Sequence, residues 1–234
     1  MRQQQIPKEN MLRDHRLAAN RSTAFRSVKR LFLTPLILFA FLASLGTPAL
    51  AQFDQFSQCT PQQRSDIKKA RFNAFDALSA ATVQITAQNG AYRTWFGRWD
   101  PVRAKFVRST VSALKNLIRT GDITYVCERQ GAGRCDGSTY AFVYPSDSSR
   151  IYLCAPYFDL PALSDATFLE VFNSGTRAGT IIHEMSHYDD VGSTNDNCYN
   201  RDVCSDYARS SPSRAVNNAD SYQYFAEDAY LKAR

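Results

Sequence analysis

From Thr60 onward, apolar residues recur at the spacing of one helix face. Thr60 is a capping residue type, Pro61 suits the first helical position, and Ile67, Ala70, Ala74, Phe75, Leu78 and Ala81 follow at helical spacing. This predicts a helix over 61–87 that Asn89-Gly90 ends. Asp100-Pro101 repeats the start signal. Val102, Phe106, Val107, Val111, Leu114, Leu117 and Ile118 then form a second stripe, closed by Gly121. The period changes after that. ITYVC at 123–127, YAFVY at 140–144 and RIYLC at 150–154 are short runs of β-branched and aromatic residues between Gly/Ser-rich turns, and they predict strands. Helical spacing returns near 166–173, 177–190, 201–209 and 213–231. Helices, a small sheet and helices again predict a mainly helical α+β domain, with 52–234 as one unit.

Ahead of this domain, LFLTPLILFAFLASL at 31–45 is apolar throughout. It is shorter than the about 20 residues that span a bilayer. Bases precede it, and Ala49-Leu50-Ala51 follows as an A-x-A cleavage site, so 1–51 reads as a secretory signal peptide. The thirty residues before the apolar run are long for such a signal. A later start at Met11, or retention of the segment as an uncleaved anchor, are the alternatives. The seven residues between the cut and Cys59 leave no room for a folded propeptide.

The formal charge of +6 resides in this leader. Residues 1–51 carry eight bases and two acids, and 52–234 carry twenty of each. The domain is therefore neutral, which removes the main argument for a nucleic-acid partner. All six cysteines (59, 127, 135, 154, 198 and 204) lie after the leader. An even count behind an export signal implies disulfides and an exported protein, periplasmic or extracellular, which is expected to be a monomer with no stable membrane association.

Candidate chemistry centres on His183-Glu184-Met185-Ser186-His187, an H-E-x-x-H. On a helix, positions i and i+4 share a face, so both rings can reach one metal ion with Glu184 beside its open position. Ile181, Met185 and Tyr188 fall on another face suited to the core. Of the three histidines, His15 belongs to the leader, so these two are all the domain has. A three-histidine site is thereby excluded, and the third ligand must be a carboxylate or a thiolate. Asp189 and Asp190 sit too close in sequence to turn back. Glu227 could serve from a second helix. Asp196, nine residues beyond His187 and past the reversal that Gly192 permits, is better placed.

HEMSH, then Gly192-Ser193-Thr194-Asn195-Asp196, then Tyr199 resembles the aspzincin metallopeptidases, whose motif is H-E-x-x-H, G-T-x-x-D and a Tyr three residues on. Tyr92–Gly97, AFVYP at 141–145, IYLC at 151–154 and NADSYQYF at 218–225 are similar to segments of the peptidyl-Lys branch. The resemblance covers most of 56–228. It implies a zincin-like fold with one Zn²⁺ held by His183, His187 and Asp196, Glu184 as general base, and Tyr199 as donor to the oxyanion. It also implies the disulfides Cys59–Cys127 and Cys135–Cys154. Cys198 and Cys204, left over and flanking Tyr199, are expected to pair.

Between Tyr188 and Asp228 lie eight acidic and three basic residues, a net of −5, which favours a basic substrate side chain. In the peptidyl-Lys branch the pocket for the residue after the cut carries an Asp and a Glu one turn apart. Asp220 matches the first, and the second falls on the neutral Gln223. The expectation is a secreted zinc endopeptidase that prefers Lys after the scissile bond. The alternatives are a related peptidase with a broad, cell-wall or host-protein substrate, and a non-catalytic binding domain that retains the fold.

Overall fold

The computed structural model describes residues 55–234. The expected signal peptide and its cleavage site lie outside the described residues. Helix α1 (Pro61–Gln84) begins with a reciprocal cap: Thr60 Oγ1 accepts from the Gln63 amide, and the Gln63 side chain accepts from that of Thr60. Its apolar stripe buries Ile67, Ala70, Ala74, Leu78 and Ala81.

The helix stops short of the expected 87, because Asn89 does more than terminate. Its Oδ1 accepts from Tyr92 N and starts a further helix, α2 (Gly90–Phe96), which the periodicity did not predict. Tyr92, Trp95 and Phe96 of α2 are all buried. Helix α3 (Pro101–Thr120) is capped by Asp100 and buries Ala104, Val107, Val111, Leu114 and Ile118. Val102 and Phe106, expected in this stripe, are 62% and 61% exposed.

Strands β1 (Gln55–Ser57), β2 (Thr124–Cys127), β3 (Ala141–Phe142) and β4 (Arg150–Leu153) form one sheet in the order β1-β2-β4-β3. β1, β2 and β4 run parallel, with Thr124 opposite Gln55 and Arg150. β3 is the antiparallel edge, with Ala141 opposite Leu153. The expected run 140–144 thus pairs over two residues only, and β1 was not predicted.

A 3₁₀ turn at Ala155–Asp159 leads to α4 (Phe168–Ser174), α5 (Arg177–Ser186), α6 (Arg201–Ser210), α7 (Pro212–Ala215) and α8 (Ala219–Ala233). The expected helix over 177–190 ends at Ser186, and that over 213–231 is broken between α7 and α8. Both breaks serve the site described below. Helices α1 and α5 pack on each other and each packs on α3 and α8, and α8 is buried continuously from Ala219 to Glu227. The cysteines pair as Cys59–Cys127, Cys135–Cys154 and Cys198–Cys204. Among the described residues no helix is long and apolar enough to cross a membrane.

Candidate metal centre

Thr176 caps α5 by accepting from Gly179 N, and Ile181, Ile182 and Met185 are fully buried on the inner face. Gly179 is required here, since a Cβ would lie 2.1 Å from Glu227 Oε1 on α8. His183 and Glu184 therefore emerge along the edge of a helix seated tightly on the core. His187 follows the last helical residue but keeps helical backbone angles (φ −72°, ψ −22°), so the i, i+4 relation survives. Tyr188, fully buried, pins the chain by donating to Arg150 O at 2.7 Å.

The chain then reverses. The Gly192 and Ser193 amides both donate to Tyr188 O. A Cβ on Gly192 would meet Ser186 O at 2.7 Å and Thr110 Cγ2 at 2.8 Å, so a larger residue would push the turn away. Thr194 closes it, donating from its amide to Ser186 O (3.1 Å) and meeting Ser186 Oγ through its hydroxyl (2.6 Å).

This reversal brings Asp196 to the histidines. Asp196 Oδ1 lies 3.2 Å from His183 Nε2 and 3.3 Å from His187 Nε2, and one donor atom from each residue falls within 4.8 Å of the others. The outer nitrogens are engaged as well. His183 Nδ1 is 2.7 Å from Asp220 Oδ1, and His187 Nδ1 is 2.8 Å from Thr194 O. A carbonyl only accepts, so His187 donates from Nδ1, which leaves Nε2 facing Asp196 as the ligand atom of the neutral ring. A ring nitrogen and a carboxylate oxygen approach this closely only with a cation between them, either a proton or a metal ion. Two imidazole nitrogens and one carboxylate oxygen, each set by an outer hydrogen bond, are the donor set of a catalytic Zn²⁺ site, and these residues fit that ion.

The acid–base character of the groups agrees. Burial pulls His183 down, but its hydrogen bonds to the Asp196 and Asp220 carboxylates outweigh it and raise its pKa to about 10. For Asp196 burial acts upward, and the two rings overcome it to hold the carboxyl far below the usual range. Burial raises Glu184. Burial first, then the Asp196 charge, raise Tyr199, whose phenol hydrogen-bonds that carboxylate.

The centre opens into a cleft of about 850 Å³. Glu184, Tyr199, Asp220, Gln223, Thr180 and Arg201 line it together with the imidazoles. Gln223 is 8% exposed and its amide lies 3.4 Å from Glu227 Oε1. Asp220 lines the cleft, but both its oxygens are engaged, one with His183 and the other with Tyr224 Oη at 2.9 Å. Glu227, the other carboxylate considered as third ligand, is elsewhere: it is fully buried, 2.9 Å from Arg201 Nη2.

Two participants had no signature in the sequence. Thr194 acts through its carbonyl, which every residue possesses. Arg201 reads as an ordinary helix-start base, yet its guanidinium is held by Glu227 and Asp228 and stacks over Tyr224 at 4.7 Å.

The family model described as lysine-specific metallo-endopeptidase (aspzincin) matches residues 80–227. An extracellular protease of Aeromonas hydrophila is 33% identical over 174 residues, covering 73% of this chain and 46% of that protein. A peptidyl-Lys metalloendopeptidase of Pleurotus ostreatus is 34% identical over 157 residues, covering 67% of this chain and 82% of that one. The chain thus spans about half the length of some curated relatives and most of another's. A solved zinc peptidase from Grifola frondosa superposes with a TM-score of 0.62 at 26% identity, over 73% of this chain and 97% of that one.

Proposed function

The chain belongs to the aspzincin metallopeptidases, and from that membership and the geometry of its centre we propose that it is a zinc-dependent endopeptidase. The observation that carries this is the convergence of His183 Nε2, His187 Nε2 and Asp196 Oδ1 on one point, with both outer ring nitrogens engaged. Those three residues would hold the ion. Bound there, Zn²⁺ supplies Lewis acidity that polarises the scissile carbonyl and acidifies a water.

The remaining steps belong to the chain. Glu184, one residue along the helix from His183 and lining the same cleft, takes the proton of the attacking water and passes it to the leaving amine. Tyr199 Oη donates to the carbonyl oxygen as negative charge develops on it, an interaction stronger in the transition state than in the bound peptide. Three disulfides, together with a relative named as an extracellular protease, support action outside the cytosol.

For the residue after the cut, the reading is Lys. Asp220 and the acidic surroundings of the centre favour an ammonium group, and the Gln223 side-chain oxygen can accept from it. A second reading, relaxed selectivity, is favoured by Arg201, which places a cation in the wall of the same cleft. Digestion of a peptide library by the protein after residue 51, with and without a chelator, tests both. Zinc-dependent cuts enriched before Lys are expected. Zinc-dependent cuts with no enrichment overturn the Lys reading alone, and an absence of cuts overturns the peptidase reading.

A further inference from the structure

Asp196 and Tyr199 sit on a segment, 194–200, that has no helix or strand of its own. Asp196 is 38% exposed and Tyr199 58% exposed, so packing does little to fix them. Besides the Cys198–Cys204 disulfide and the bonds to Asn217, one buried side-chain amide holds the segment's backbone next to Asp196. Asn218, fully buried at the break between α7 and α8, accepts at Oδ1 from the backbone N–H of Asn197 (2.8 Å) and of Cys198 (3.0 Å). These two donors directly follow Asp196. The Asn218 Nδ2 lies 3.3 Å from Ser221 Oγ, which anchors the amide to the first turn of α8. Backbone bonds on either side, Asn195 N to Asn217 O and Ala219 N to Asn195 O, form a short parallel bridge that fixes the register. Two residues beyond Asn218, Asp220 reaches His183 Nδ1. The start of α8 therefore touches the centre twice, at a histidine and at the chain bearing the carboxylate.

We propose that Asn218 is a positioning residue that frames the 194–200 segment and so sets how tightly the centre holds its metal. It touches neither metal nor substrate; its part is to align the two amides that orient Asp196 and carry the chain to Tyr199. A buried Asn with a rigid two-donor load suits this task, since losing the acceptor leaves two N–H groups unpaired and frees the segment. The proposal rests on the zinc reading above.

The test measures Zn²⁺ affinity of the protein by competition with a chromogenic chelator, alongside hydrogen exchange at the 197 and 198 amides. Asn218→Ala is expected to weaken zinc binding by about 10- to 100-fold, and to accelerate exchange at those amides by at least about tenfold, the scale set by losing a buried hydrogen bond. Asn218→Asp keeps the acceptor and is expected to retain both within about threefold. Zinc affinity unchanged in Asn218→Ala overturns the proposal. Should that variant fail to fold, Asn218→Asp decides: zinc binding lost with both amides still protected overturns it. A parent protein that binds no zinc overturns the function as well, which separates the two failures.

Discussion

The Nδ1 atom of His187 faces a backbone carbonyl, and that contact turns the ring's other nitrogen toward Asp196. At this scale the sequence was informative wherever side-chain identity carries the chemistry. The two histidines of HEMSH, the neighbouring Glu184 and the carboxylate nine positions on were all visible as residue types at a spacing. Thr194 was not, because it acts through a main-chain oxygen. Asp220 was visible but incompletely read: one oxygen holds His183, so it orients a ring as well as lining the cleft. The proposed roles predict distinct losses. Glu184→Gln should lower kcat by about 10²–10⁴ while zinc content by metal analysis stays unchanged. Tyr199→Phe should lower kcat by about 10²–10³, the usual cost of one oxyanion donor, with little change in KM. A rise in KM with kcat preserved would assign Tyr199 to substrate binding instead.

Helices α6 and α8 meet through a buried charge cluster in which Arg201 bridges Glu227 at 2.9 Å and Asp228 at 2.6 Å. Burial pushes Glu227 up to about 7, and the Arg201 charge restrains it from rising further. Removing that cation leaves a carboxylate with no counter-charge in the core. Arg201→Met is therefore expected to destabilise the fold by about 3–5 kcal/mol at pH 8. The sign of the pH dependence follows from the raised pKa. Without Arg201 the folded-state pKa of Glu227 rises further, so the difference between variant and parent is largest where Glu227 is ionised in both and shrinks as pH falls to about 7, below which both carry the proton. Urea unfolding of parent and variant at pH 8 and pH 5.5 checks this; an equal difference at both values would show that Glu227 is not the origin. Elements were legible where one stripe faced one core, as in α1 and the inner face of α3. They were misread where one signal served two ends. Asn89-Gly90 closes one helix and caps the next. The break before α8, hidden in a helical pattern, exists to let Asn217 and Asn218 reach the 193–198 turn.

For the molecule as a whole, metal binding and folding share one free energy, since the three candidate ligands come from α5, the residue that follows it and a loop that assemble only in the fold. A ligand that binds only the folded state stabilises it by RT ln(1 + [L]/Kd), about 2.7 kcal/mol at a hundredfold excess over Kd. In a domain of this size each kcal/mol moves the melting point by about 2–4 °C, so saturating zinc should raise Tm by about 5–11 °C over chelated protein. Each further tenfold in free zinc should add about 3–5 °C. The chelated domain should nonetheless remain folded at room temperature. A core in which α1 and α5 each pack against α3 and α8 does not depend on the ion, and Cys59–Cys127 closes a loop with a sequence separation of 68, worth about 4 kcal/mol by chain entropy. Calorimetry across a series of buffered zinc concentrations, with circular dichroism of the chelated protein, reads both terms. A melting point indifferent to zinc would mean that the imidazoles and Asp196 do not form a site in solution. Loss of helical signal on chelation would mean that the ion, rather than the disulfides and the helical core, holds the domain together.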